Sequence, residues 1–140
     1  CENGGGAYFK ITYKGPDTGW NERVMPSAGF DGECKAPVPE CGCGLGWCSK
    51  WYFNPNGLDQ VRDFPDLGGL VPQFARSDID VNLLSDEQIN AFLKRSGGVN
   101  RVAAEFLGVL RINHAGQYTL CTASDDGSRL FIAGKLVGDN

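Results

Sequence analysis

The sequence predicts an all-β protein, an antiparallel β-sandwich or barrel with one short helix and a disulfide-rich linker. Three observations carry this. Twenty glycines and seven prolines break the 140-residue chain into short runs rich in aromatic and β-branched residues, the punctuation of turns between strands. Apolar residues recur with period two near the N-terminus, and only one segment carries a helical period. Six cysteines, at positions 1, 34, 41, 43, 48 and 121, include a tight cluster in a Gly-rich stretch, which fits disulfides formed in an oxidising compartment. A chain of this length suits one domain with a substantial core.

The elements follow in order. From Ala7 to Tyr13 the residues Phe9, Ile11 and Tyr13 alternate with Tyr8, Lys10 and Thr12, the pattern of a half-buried strand. Gly15-Pro16-Asp17 ends it as a turn. Residues 31–45 are mostly Gly, Pro and Cys with little to bury, and Ala36-Pro37-Val38-Pro39 is stiff and extended. This is a linker stapled by its own cysteines. Trp47 to Phe53 is an aromatic strand, and Phe64 to Pro72 is a loop with hydrophobic pegs between turn residues. Ser85-Asp86-Glu87-Gln88 forms a capping box. The helix it opens has Ile89, Phe92 and Leu93 on one face, runs about three turns at most, and stops at Gly97-Gly98. Val102 to Ile112 is the strongest strand signal, and Asn113-His114-Ala115-Gly116 turns it into a strand at 117–123. Leu130, Ile132, Leu136 and Val137 flank a tight Ala133-Gly134 turn.

Charge and hydropathy narrow the function. Thirteen basic residues against 17 acidic ones give a net charge of -4 without a basic block, which argues against duplex nucleic acid as a partner. No apolar run approaches the roughly 20 residues of a membrane span. The chain opens directly at Cys1, so a signal peptide is expected to have been removed or to lie outside it. With the cysteine usage, this points to an extracellular or cell-surface setting.

The stretch from Gly116 to Asn140 reads strand, acidic turn (Ser124-Asp125-Asp126-Gly127-Ser128), strand, tight turn, strand. With Trp51-Tyr52-Phe53, the Pro65-Asp66-Leu67-Gly68-Gly69-Leu70 loop and the Phe106–Ile112 strand before it, this closely resembles the protective-antigen (PA14) domain family. The resemblance implies a β-sandwich module of extracellular adhesins, toxins and carbohydrate-active proteins. It also implies an odd register. Residues from about 46 to 140 look like the beginning and middle of such a domain. Residues 1–30, with Glu2-Asn3-Gly4-Gly5-Gly6-Ala7, a strand and Gly15-Pro16-Asp17-Thr18, look like the end of one. Strands worth roughly 25–30 residues at usual lengths are missing between the two parts. The simplest account is a tandem array cut out of phase, with residues 31–45 as linker. A circular permutation that folds back on itself is the rival, and strand addition to a neighbouring copy is a third account.

Asp125 and Asp126 are the sharpest candidate site. In lectin-like members of the family, two aspartates here bind Ca²⁺ across a cis peptide and the ion holds sugar hydroxyls, so the resemblance implies calcium and glycan binding. The chemistry suits a hard ion that takes six to eight oxygens. The competing reading is a polar β-turn with Gly127 in the left-handed conformation. The second loop that lectin-like members use falls in the part missing here. Among the cysteines, Cys34, Cys41, Cys43 and Cys48 are expected to form two local disulfides of open connectivity. Cys1 and Cys121 are then paired, within one chain or between neighbours. A zinc knuckle is disfavoured, because Cys41 and Cys43 make no Cys-x-x-Cys pair and the sole histidine is distant at 114.

Other patterns carry less. Asp78-x-Asp80-x-Asn82 fails as a calcium loop, with Leu83 where glycine is wanted and Ile89 where a carboxylate is wanted, and reads as a solvated loop. Gly42-Cys43-Gly44-Leu45-Gly46 lacks the dinucleotide spacing. His114 reads as a surface turn residue without a catalytic constellation. Trp20, Trp47 and Trp51 could stack on sugars, but core or interface is the commoner use. The expected function is therefore a non-enzymatic structural or adhesive repeat of an extracellular fibre, assembling head to tail with other copies by completing their β-sandwiches. The alternative is a calcium-dependent carbohydrate-binding module built on Asp125 and Asp126, and an accessory domain of a glycoside hydrolase is a third reading.

Overall fold

The computed structural model describes residues 9–25, 46–53, 64–78, 80–94 and 101–139. In chain order their elements are β1 (Phe9–Lys14), a 3-10 turn (Pro16–Thr18), β2 (Arg23–Val24), β3 (Trp47–Phe53), β4 (Phe74–Asp78), β5 (Asn82–Leu83), α1 (Asp86–Leu93), β6 (Val102–Leu107), β7 (Thr119–Ser124), β8 (Arg129–Ile132) and β9 (Lys135–Asp139). All strand pairings are antiparallel, so the fold is all-β with one short helix. The cysteine-rich linker at 31–45, the Gly-rich segment before Tyr8, and Cys1, Cys34, Cys41 and Cys43 lie outside the described residues. The chain forms two compact units, residues 1–25 with 81–98 and 112–140, and residues 26–80 with 99–111.

The first unit is organised around β1. On one edge β7 runs along its whole length, from Phe9 opposite Ser124 to Lys14 opposite Thr119. The other edge is shared: β5 pairs with Phe9 and Lys10, and β2 with Thr12 and Tyr13. Between those short ladders Ile11 donates its N–H to Val81 O at 3.2 Å and accepts at its carbonyl from Met25 N at 2.9 Å. The backbone of a central strand must find such partners once water is excluded. The expected half-buried strand is thus a central one. Both Ile11 and Thr12, on opposite faces, are buried, so the alternation seen in sequence does not translate into one wet face.

Helix α1 begins as its sequence requires. The Ser85 hydroxyl accepts from Gln88 N at 3.3 Å, while the Gln88 side chain reaches back to Leu84 N at 2.6 Å, one residue before the position a capping box uses. Ile89 and Leu93 are buried. The helix stops earlier than the expected Gly97-Gly98, which lies outside the described residues. Lys94 itself takes the left-handed conformation, φ 53, and its N–H closes on the last turn, the role usually given to glycine. β8 and β9 form a hairpin through Ala133 (φ 50) and Gly134 (φ 77), both positive as a tight primed turn demands.

The second unit is the sheet β4-β3-β6. Its centre, β3, carries Trp47, Cys48, Ser49, Trp51 and Tyr52, all buried. Large rings face small partners: Trp51 sits opposite Ala104 and Tyr52 opposite Ala103. The Trp51 and Phe106 rings meet edge to face at 5.7 Å, the arrangement the ring quadrupoles favour. Loop 64–72 is a loop as expected, shaped by Asp66 Oδ1 accepting from Gly68 N at 2.9 Å and by a Leu67–Leu70 turn.

One expectation fails here. Val102–Ile112 is not a single strand, and residues 113–116 are not a hairpin turn. β6 pairs with β3, whereas β7 pairs with β1. A strand lasts only as long as its partner. β3 begins at Trp47, and the ladder ends at Cys48 opposite Leu107. At Gly108 a Cβ would lie 2.5 Å from the Trp47 ring, so only glycine passes there. The expected solvated loop at 78–82 also differs, since Asp78 closes β4 and Asn82 opens β5.

Candidate functional site

Asp125 and Asp126 occupy the bend between β7 and β8, and both are exposed. The bend is not a hairpin, because β7 belongs to the four-stranded sheet and β8 to a separate two-stranded one. Thr122 Oγ1 and Ser128 Oγ lie 2.8 Å apart across it, which ties the two ends of the acidic segment together. Gly127 does not take the left-handed conformation, and no cis peptide bond occurs among the described residues. Just before the pair, the Ser124 hydroxyl oxygen is buried without a hydrogen-bond partner.

The donor chemistry of this bend suits a hard cation. Two carboxylates offer up to about four oxygens, and the rest of a six-to-eight-oxygen shell would come from backbone carbonyls and water. Among the described residues no group of three or more His, Cys, Asp or Glu side chains converges on one point. Cys48 in β3 and Cys121 in β7 are each disulfide-bonded. The other four cysteines, and with them the expected pairings, lie outside the described residues.

A second cluster was not visible in sequence. The Asp17 carboxylate, in the 3-10 turn after β1, accepts from the backbone N–H of Asn113 and of His114, each at 2.9 Å. His114 Nδ1 lies 2.6 Å from the same group. The Tyr118 hydroxyl donates to His114 O at 2.8 Å. The Asn113 N–H, then the His114 and Tyr118 groups, hold the Asp17 carboxyl below its ordinary value against an opposing effect of burial. Burial and the neighbouring Asp17 push the Tyr118 hydroxyl up. His114 is on the surface as expected, its side chain 71% exposed, while that of Asp17 is 6% exposed. Its ring is nevertheless tethered. This corner is a clamp: one carboxylate gathers the start of the 113–118 loop. Nothing local in Gly15-Pro16-Asp17-Thr18 announces a partner almost a hundred residues away.

The three tryptophans separate cleanly. Trp47 and Trp51 are core residues, whereas Trp20 is 58% exposed. Around it the chain is pinned. Trp20 N donates to Gly15 O at 3.0 Å and Gly19 N to Pro16 O at 3.2 Å, and Thr18 Oγ1 both accepts from Gly15 N and donates to Gly15 O.

Antiparallel sheets, with a single short helix among the described residues, define an all-β domain that carries an exposed acidic bend at the end of β7. The chain belongs to the PA14 domain family, whose model matches residues 46–140. PA14 domains typically occur in extracellular or surface proteins, and membership is compatible with a surface or carbohydrate-binding domain. No curated protein and no solved structure matches the chain. No helix among the described residues is long and apolar enough to cross a membrane.

Proposed function

We propose that this chain is a non-enzymatic structural or adhesive module of an extracellular fibre or tandem-repeat surface protein, making contact with further copies of itself. The β8–β9 ribbon carries this reading. Phe131, Ile132, Leu136 and Val137 are all 44–55% exposed on it, and no third strand pairs with either edge among the described residues. A two-stranded ribbon is marginal by itself in water, and uncovered edges recruit other strands. The β1–β7 ladder offers a second joint, since exchange of residues 9–25 between copies would link them head to tail. Sedimentation velocity across a concentration series, with electron microscopy, tests this. Association is expected, and Phe131→Lys with Val137→Lys should abolish it. A protein that stays monomeric at every concentration would end the reading.

The second reading is calcium-dependent carbohydrate binding through Asp125 and Asp126. It is favoured by their exposure at the bend and by the unpartnered Ser124 hydroxyl beside them. Calorimetry with calcium, followed by a glycan array with and without chelator, separates it from the first. Heat of calcium binding should vanish in Asp125→Asn with Asp126→Asn. No calcium binding to the unaltered protein would rule it out.

A further inference from the structure

We infer that the open edge of β7 is the acceptor for the β8–β9 ribbon of a second copy, so that the two meet as neighbouring strands of one sheet. This rests on the self-association proposed above and names its joint. Hydrogen-bond directions locate the edge. Ile11 directs its backbone groups to Val81 and Met25, away from β7, and successive residues of a strand point theirs to opposite sides. Lys10, Thr12 and Lys14 therefore face β7 and meet Ala123, Cys121 and Thr119. Leu120, Thr122 and Ser124 then direct their N–H and C=O groups outward, where no strand lies among the described residues.

Such an edge recruits another strand unless a charged side chain, a proline or a bulge guards it. β7 reads Thr-Leu-Cys-Thr-Ala-Ser, without charge or proline, and its six pairs with β1 run without a register shift. Leu120 lies opposite Tyr13, and Thr122 opposite Ile11. An added strand would extend that sheet face with alternate side chains of its own, and apolar ones would cover Leu120.

The ribbon supplies them. Phe131, Ile132, Leu136 and Val137 stand uncovered on it, and β9 has five residues against six in β7. Charge sets the direction. Antiparallel addition of β9 brings Lys135 to the Asp125–Asp126 end of β7. It brings Asp139 to the other end, where Lys14 of β1 pairs with Thr119. Lys14, Lys135, Asp125 and Asp126 are exposed and make no ion pair with another described residue. Parallel addition would set like charges together at both ends. The two surfaces differ, so the contact is heterologous and each copy keeps one half free for the next.

The test uses the full chain in chelator, followed by sedimentation velocity. Leu120→Pro removes an outward N–H where an edge strand tolerates proline, and should leave the protein monomeric. The ribbon variant, Phe131→Lys with Val137→Lys, should be monomeric too. Mixed in equal amounts, the two should form dimers and nothing larger, because one intact edge then meets one intact ribbon. Hydrogen exchange on the parent needs no variant. On association the Leu120, Thr122 and Ser124 amides should slow by about tenfold or more, whereas those of Thr119, Cys121 and Ala123 are protected throughout. Circular dichroism controls for folding, and exchange decides alone if Leu120→Pro is unfolded. Undiminished association of folded Leu120→Pro overturns this joint and leaves self-association standing. So does a mixture of folded variants that stays monomeric, and so do outward amides that exchange equally fast in the assembly. A parent that is monomeric at every concentration overturns both.

Discussion

Replacing Gly15 by alanine tests the corner that Thr18 and Tyr118 close around it. An ideal Cβ there would fall 2.4, 2.7 and 2.9 Å from three carbons of the Tyr118 ring. Carbon atoms in contact prefer about 3.5–4.0 Å, so the gap is short by about an ångström. Relief is blocked on both sides. Gly15 is held through its N–H by Thr18 Oγ1 at 3.0 Å and through its carbonyl by Thr18 and Trp20. Tyr118 is held by its hydroxyl bond to His114 O. The Gly15 φ of 168 is extended backbone open to any residue, so the penalty is steric.

Forcing a methyl into such a contact costs about 1–3 kcal/mol. The reduced freedom of the unfolded chain returns about 0.4–1 kcal/mol. The net expectation is a loss of about 1–2 kcal/mol, read as a lower urea midpoint at unchanged m-value. Tyr118→Ala removes the obstacle, so the double variant should lose at least about 1 kcal/mol less than the sum of the two single losses. A Gly15→Ala protein within about 0.5 kcal/mol of the parent, or strict additivity in the cycle, would refute the contact.

Two further predictions follow from the same unit. Because Asp17 has its carboxyl lowered in the folded state, its contribution is fully present above the ordinary value of 3.8 and is lost as pH falls through the lower folded value. The urea midpoint should therefore drop more steeply below that pH in the parent than in Asp17→Asn, and equal slopes would remove the clamp from the account. At the end of α1, Lys94→Gly relieves a left-handed φ of 53 at an exposed position, and should stabilise by about 1 kcal/mol in the same assay. A lower midpoint would show that the lysine side chain contributes more than its backbone strain costs.

Local chemistry was legible in the sequence wherever a short segment decides its own structure. β3 begins and ends where its aromatic run does, Ser85 caps α1, and the Ala133-Gly134 turn joins β8 to β9. What could not be read was set by partners. β2 and β5 are two residues each and exist because β1 has free edge positions for them. β4 has a weak strand sequence but a strong neighbour in β3. The run 102–112 looked continuous because periodicity cannot report where a partner strand stops. The acidic bend was found from sequence, whereas the Asp17 clamp was not, since its partners come from the far end of the chain.

The β1–β7 ladder also decides how the acidic bend and the Asp17 clamp relate. Phe9 pairs with Ser124 at one end and Lys14 with Thr119 at the other. The Asp125–Asp126 bend leaves the first end, and the turn carrying Asp17 leaves the second. Five residue steps of extended chain separate those ends by about 17 Å. Sites that far apart without shared partners act independently. Asp17→Asn should therefore weaken the protein towards acid without changing any calcium affinity of the Asp125–Asp126 bend, as calorimetry would read it. A changed calcium affinity would show that the ladder couples its two ends.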